Sequence, residues 1–92
     1  MKHNRWTMVI SGKVQGVSYR ASAEAIASRL DITGYVRNLE DGSVEIVAEG
    51  PIDDLDAFRL WCEEGPPAAR VDNIDTREEP GTGEFSGFSI RS

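Results

Sequence analysis

The sequence predicts an α+β fold of ferredoxin-like type, an α/β sandwich in which two helices cover one face of a small antiparallel sheet. Three observations predict it. A chain of 92 residues suits one domain with a simple core. Two stretches carry apolar residues at helical spacing, and stretches of strand character surround them in the order βαββαβ. We therefore expect a single domain over residues 1–92.

Five stretches have the character of strands, and the first and third alternate apolar and polar side chains as half-buried strands do. They lie at residues 6–13, 35–39, 43–49, 69–76 and 85–91. In the first stretch, Trp6, Met8 and Ile10 are expected to share the buried face. In the last, Phe88 and Ile90 are expected to point inward. A turn-rich loop at 78–84 lies between the last two stretches. The final strand region is therefore either one strand or a pair of strands.

The second and third strand stretches are predicted to form a hairpin. Asp41-Gly42 between them is a dipeptide typical of tight turns. In the third stretch, Val44 and Ile46 would be buried, whereas Glu45 and Glu49 fall on the face expected to be wetter.

Two stretches have the period of a helix. Over residues 19–30, apolar side chains recur three and four residues apart and form one stripe. The second stretch places Leu55, Phe58 and Cys62 on one face and ends at Gly65-Pro66-Pro67. Both helices would therefore pack a single apolar face onto the sheet.

Composition narrows the class of protein. Sixteen acidic against ten basic side chains give a net charge of −6, which disfavours nucleic acid and anionic membrane surfaces as partners. Apolar runs are too short for a membrane span or a signal peptide. One cysteine, Cys62, and one histidine, His3, are too few for the common structural zinc sites. We expect a cytoplasmic monomer.

The most informative segment runs from Ser11 to Arg20 and joins the first strand to the first helix. Gly12 and Gly16 allow backbone conformations closed to other residues and let a ligand approach the main chain. Successive N–H groups of such a loop, with the positive end of the following helix, can bind an anion. The planar guanidinium of Arg20 can hold two phosphate oxygens. We interpret the segment as a phosphate cradle.

Several of these residues have a structural interpretation beside the functional one. The lysine and serine of a Walker A loop are missing at the required places, and the glycines lack the spacing of a dinucleotide-binding loop. The glycines could simply shape a connection, with Arg20 in solvent or paired with Glu24. Cys62 is favoured as a core residue over a reactive thiol. Lys13 and Arg37 either attract an anionic substrate or are solvated strand charges.

Two segments resemble the signatures of the acylphosphatase family. Gly12 to Arg20, GKVQGVSYR, resembles G-x-V-Q-G-V-x-[FY]-R. Gly34 to Val44, GYVRNLEDGSV, resembles G-[FYW]-x-x-N-x-x-[DN]-G-x-V. Gly50 and the segment from Gly65 to Val71 also match the family. The resemblance covers essentially the whole chain and implies the same ferredoxin-like sandwich that the element order indicates.

The resemblance implies hydrolysis of the carboxyl–phosphate bond of acyl phosphates, giving a carboxylate and inorganic phosphate. Arg20 matches the family's phosphate-binding arginine, and Asn38 matches the asparagine that holds the attacking water. The phosphate-binding loop corresponds to Gln15, Gly16, Val17, Ser18, Tyr19 and Arg20. A small-molecule acyl phosphate is the expected partner, and neither a cofactor nor a metal is implied.

These residue types suit the chemistry of an acyl phosphate. Its carboxylate leaving group needs little protonation, so the reaction depends on an in-line water and on stabilising phosphoryl charge. Neither Asn38 nor Arg20 is a base at neutral pH. Our hypothesis is that a phosphate oxygen of the substrate accepts the water's proton. No phosphoenzyme is expected, because the loop lacks cysteine and histidine and Ser18 lacks a nearby base.

Two other functions stay open at this point. One is a binding module that holds carbamoyl phosphate or another phosphorylated ligand without turnover. The other is a ferredoxin-like RNA binder, which would need aromatic side chains on the open sheet face and a basic surface. The acidic charge of the chain disfavours RNA.

Overall fold

A computed structural model describes residues 3–91, within which the chain forms five strands and two helices. In chain order they are β1 (Asn4–Lys13), α1 (Tyr19–Arg29), β2 (Thr33–Asn38), β3 (Val44–Gly50), α2 (Ile52–Glu64), β4 (Arg70–Pro80) and β5 (Phe88–Arg91). The α+β class and the order of elements are confirmed. The final strand region is a pair of strands, β4 and β5.

The strands form one sheet in the order β4-β1-β3-β2-β5. Strands β4, β1, β3 and β2 pair antiparallel, each with the next in that order, as predicted. Strand β5 is different, because it pairs parallel to β2, with Val36 opposite Ile90. The prediction of an antiparallel sheet therefore holds for four strands and is wrong for the fifth.

The core lies between the two helices and one face of the sheet. Met8 and Ile10 of β1 are fully buried there, as the alternation predicted. Ala23 and Ala27 of α1 and Phe58 of α2 close the core from the other side. Burial of these side chains is the main stabilising contribution, since each large apolar side chain removed from water contributes about 1.5–3 kcal/mol.

Two predicted boundaries near the end of the chain are wrong. Strand β4 continues to Pro80 because it pairs along the whole of β1, as far as Asn4 opposite Pro80. The connecting loop is therefore 81–87, and β5 starts only at Phe88. Strand β4 is an edge strand with mostly exposed side chains, so its sequence carries little alternation from which its end could be predicted.

The connecting loop 81–87 is fixed to the open face of the sheet by Glu49 of β3. The Glu49 carboxylate accepts hydrogen bonds from the backbone N–H groups of Thr82 and Gly83, at 3.1 and 2.9 Å, and from Arg5 Nε at 2.7 Å. Glu49 is only 2% exposed. Its expected place on a wetter face is wrong, because the loop covers it.

Candidate active site

The two glycines of the segment before α1 serve different purposes. At Gly12 the backbone has a φ of 128°, and an added Cβ would lie 2.2 Å from the carbonyl oxygen of Arg70. Gly12 therefore allows β1 and β4 to approach closely at an irregularity of their pairing. Gly16 has a φ of 74° with open space around it, so there the requirement is the left-handed backbone itself.

The loop between β1 and α1 presents unpaired backbone donors. None of the N–H groups of residues 15–20 donates to an acceptor within residues 3–91. Ser18, the residue before the helix, is left-handed with a φ of 65°, and its side chain makes no capping hydrogen bond. A helix start without a cap leaves its first N–H groups available. Together with the helix dipole, these donors favour an anion.

Arg20 adds a cation to the same place. It lies in the first turn of α1, half-buried, and its Nη1 is 3.5 Å from the carbonyl oxygen of Arg91 in β5. The expected alternative of an ion pair with Glu24 is not formed, since the ion pairs within residues 3–91 do not include it. The guanidinium therefore keeps donors for a ligand.

Asn38 stands at the end of β2, where the hairpin to β3 begins. The hairpin loop 39–43 is closed by a hydrogen bond from the Leu39 N–H to the Ser43 carbonyl, at 2.8 Å. Asp41 supports the turn by accepting from the Ser43 N–H at 3.0 Å. The Oδ1 atom of Asn38 is buried and has no hydrogen-bond partner in the part of the chain that the structure describes. Such an acceptor is costly unless something binds it.

These groups meet around one open cavity of about 200 Å³. The residues that line it are Val14, Gln15, Gly16, Ser18, Tyr19, Arg20, Ala21, Asn38 and Ile90. The structure therefore brings together all the sequence-predicted site residues except Val17, whose side chain packs against the core. Ile90 was expected to point inward, but it is 41% exposed and borders the cavity.

Tyr19 lines the cavity, and contacts with α2 hold its side chain in place. Its hydroxyl donates to the Cys62 carbonyl oxygen at 2.7 Å, and its ring lies 5.4 Å from that of Trp61. Burial raises the pKa of this hydroxyl far above its usual value. The phenol is therefore a neutral anchor between α1 and α2, not an acid or base of the site.

The remaining candidates fall outside the cavity. Lys13 and Arg37 do not line it, and Arg37 Nε is 2.7 Å from a carboxylate oxygen of Glu45 on the open face of the sheet. Cys62 is fully buried, and burial raises the pKa of its thiol to about 12. The interpretation of Cys62 as a core residue is confirmed. Three lining residues were not among the predicted site residues: Val14, Ala21 and Ile90.

A family model described as Acylphosphatase matches residues 6–90 of the chain. The chain belongs to the acylphosphatase family. An acylphosphatase of Marinobacter nauticus is 56% identical over 96% of both chains, and one of Methylococcus capsulatus is 54% identical over 90% of both. The crystal structure of acylphosphatase from Bacillus subtilis matches with a TM-score of 0.94 at 32% identity, over 97% of this chain and 99% of that one.

Two further observations on this acylphosphatase-family chain concern metal ions and membranes. Within residues 3–91, His, Cys, Asp and Glu side chains nowhere gather in a group of three or more that could hold a metal ion. The helices of that same range are also too short or too polar to cross a membrane. The polar groups that line the cavity include the Arg20 guanidinium and the Asn38 amide, beside the unpaired N–H groups of the loop.

Proposed function

We propose that the chain hydrolyses the carboxyl–phosphate bond of acyl phosphates, with the phosphoryl group bound by loop 15–20 and Arg20, and the attacking water positioned by Asn38. Membership of the acylphosphatase family supports the reaction. The single observation that supports the assignment of roles is the meeting of unpaired N–H donors, the Arg20 guanidinium and the Asn38 side chain at one cavity.

The phosphoryl group suits the donor side of the cavity. A phosphoryl group offers several acceptor oxygens that gain negative charge in the transition state. The free N–H groups of residues 15–20 and the Arg20 guanidinium are fixed donors that need no rearrangement to meet that charge. Fixed donors of this kind typically account for about 10²–10³ in rate each.

The Asn38 side chain suits the attacking water. Asn38 lines the cavity, and its amide can accept a hydrogen bond from a water through Oδ1 and donate one through Nδ2. The water and the phosphoryl group would be held by different elements, because Asn38 ends β2 and the loop donors belong to the connection between β1 and α1, and both line the cavity. Holding water and phosphoryl group together in this way is the main catalytic contribution that we assign to the fold.

The proton of that water goes to the substrate in this proposal. Among the lining residues, none is a carboxylate, a histidine or a cysteine. The Tyr19 hydroxyl is committed to the Cys62 carbonyl. A phosphate oxygen of the bound substrate is therefore the acceptor that we propose, with the carboxylate leaving as the P–O bond breaks. The reaction needs no metal ion in this scheme.

We further propose that the protein acts as a monomer in the cytoplasm. All groups of the cavity come from one chain, so the site does not require a second copy. The single buried thiol suits a reducing compartment. Light scattering at micromolar concentration would give the mass of one chain, and a mass of two chains would contradict the proposal.

The test is hydrolysis of benzoyl phosphate, followed by absorbance with excess chelator present. The wild type should turn over, and Arg20→Ala and Asn38→Ala should each lose at least about 100-fold in kcat/KM while circular dichroism shows them folded. A folded wild type that binds inorganic phosphate through Arg20 without turnover would contradict the enzymatic function and favour a binding module. Loss of wild-type activity in chelator would contradict the metal-free scheme.

A further inference from the structure

The side chain of Gln15 is used within the protein and not at the phosphate. Its Nε2 atom donates to two backbone carbonyl oxygens, those of Leu39 and Ser43, both at 2.9 Å. Nε2 has two hydrogens, so both are taken. What remains on this side chain is the amide oxygen, which would repel a phosphate. Gln15 can therefore serve a bound phosphoryl group through its backbone N–H alone.

The two acceptors lie at the ends of the hairpin loop that follows Asn38. The Leu39 carbonyl already accepts from the Gly42 N–H at 3.2 Å, and the Ser43 carbonyl accepts from the Leu39 N–H at 2.8 Å. Each carbonyl oxygen has two lone pairs and can take a second donor. The amide of Gln15 supplies that second donor to both, so it binds both ends of a loop that the hairpin itself has closed.

These two hydrogen bonds join the halves of the site. Within residues 3–91 they are the hydrogen bonds that connect loop 14–18 with hairpin loop 39–43. One half carries the N–H donors of residues 15–20, and the other directly follows Asn38. A change in the distance between the two halves would move the water relative to the phosphoryl group.

We infer that Gln15 is a positioning residue that fixes Asn38 relative to the phosphate loop. The inference rests on the proposed function, since it presumes that Asn38 holds the water. The inference predicts different effects on kcat and on phosphate affinity, whereas a Gln15 side chain that bound the phosphate directly would change both. Loss of the Gln15 amide should lower kcat, because the water is misplaced, and leave phosphate affinity nearly unchanged, because the loop N–H groups and Arg20 stay.

The test replaces the amide by a group of similar length that cannot donate. Gln15→Met should lower kcat for benzoyl phosphate about 10- to 100-fold, since misplacement by about 1 Å can cost that much. The inhibition constant of inorganic phosphate should stay within about threefold of the wild type, equal to about 0.6 kcal/mol. A wild-type kcat, or a loss of phosphate affinity as large as the loss of kcat, would overturn the inference.

A second variant supplies a signature that a merely structural role would not give. In Gln15→Glu the protonated carboxyl group can donate one hydrogen bond, whereas the carboxylate can donate none. The ratio of its kcat to that of the wild type should rise as the pH falls, while the same ratio for Gln15→Met stays flat. Parallel pH profiles for both variants would contradict the inference. If Gln15→Met folds poorly, the pH profile of Gln15→Glu against the wild type is sufficient by itself, and a flat ratio would contradict the inference.

Thr82→Val is the matched control for lost stability. It removes hydrogen bonds of the Thr82 hydroxyl with Glu49 and Arg5 on the far face of the sheet. It should lower stability without lowering kcat, and an equal kcat loss in this control would overturn the positioning role.

Asn38→Ala separates the two proposals. If it keeps turnover, the water assignment fails. If it loses turnover while Gln15→Met keeps it, the Gln15 inference alone fails.

Discussion

At the residue scale, the Asn38 side chain lowers the stability of the fold although the proposed activity requires it. Its Oδ1 is buried without a partner, and no side-chain hydrogen bond of Asn38 lies within residues 3–91. Most buried polar atoms of folded proteins are paired, and an unpaired one costs about 1–3 kcal/mol. The Asn38 amide therefore contributes little to the stability of the fold, which agrees with a side chain that serves the cavity it lines.

Asn38→Ala should therefore leave the free energy of unfolding unchanged within about 0.5 kcal/mol, or raise it, because no hydrogen bond is lost and an unpaired acceptor is removed. Denaturant unfolding at neutral pH measures this. A loss above about 1.5 kcal/mol would show that Asn38 makes a stabilising contact and would weaken the argument that its amide is reserved for a ligand.

Tyr19 is the opposite case, a site residue whose side chain holds the fold together. Tyr19→Phe removes the hydroxyl that donates to the Cys62 carbonyl and leaves that buried acceptor unpaired. We expect a loss of about 1–3 kcal/mol in unfolding free energy. Tyr35→Phe is the matched control, because the Tyr35 hydroxyl is only half-buried and donates to Glu45 at 3.2 Å. An equal loss in both variants would contradict the account.

At the scale of elements, the connection between β4 and β5 depends on a single buried carboxylate. Burial alone would raise the pKa of Glu49, but hydrogen bonds from Gly83, Thr82 and Arg5 outweigh burial and lower it to about 2. Glu84 of the same loop also pairs with Arg5. The loop is thereby tied to β3 and β1, and this attachment holds it in place before it enters β5.

The lowered pKa of Glu49 has a defined consequence for stability. The unfolded chain binds this proton near pH 4.5 and the folded protein near pH 2, so the stabilisation is complete above about pH 5.5 and is lost as the pH falls toward 2. Glu49→Gln should lower stability at pH 7 by about 3 kcal/mol. It should also flatten the decline between pH 5 and 2. Unfolding measured across that range tests both, and an unchanged acid slope would contradict the role of Glu49.

At the scale of the whole molecule, the core is one connected cluster with Cys62 inside it. The thiol is fully buried, and burial raises its pKa to about 12. Strand pairing joins residues far apart in sequence, such as Asn4 with Pro80, so opening β1 breaks contacts with both β3 and β4. Small domains of this kind usually unfold in one cooperative transition.

Cys62 should therefore report global unfolding. The native protein should not react with a thiol reagent at pH 8, and the labelling rate should follow the unfolded fraction as denaturant is added. Rapid labelling under native conditions would show local opening of α2 or an accessible thiolate. Labelling that precedes the loss of circular dichroism would likewise contradict a single cooperative transition.

Sequence reasoning predicted what local pattern and the two signatures carry. The helical stripes and the hairpin at Asp41-Gly42 could be predicted because each depends on neighbours in sequence. Residues 15–20 and Asn38 could be predicted because the two signatures contain them, whereas Ile90 of the cavity could not. The burial of Glu49 could not, since it depends on a loop more than thirty residues away. The two bonds of Gln15 also depend on a distant segment, the hairpin loop 39–43. No short-range pattern signals which partner a side chain meets after folding.

The central claim is that water, held by Asn38, attacks phosphorus. Hydrolysis of benzoyl phosphate in water enriched in oxygen-18 tests it most directly, with mass spectrometry of both products. We predict that one labelled oxygen enters inorganic phosphate and that benzoate carries none. Label in the benzoate would mean attack at the carbonyl carbon, and it would contradict the placement of the phosphoryl group between loop 15–20 and Asn38.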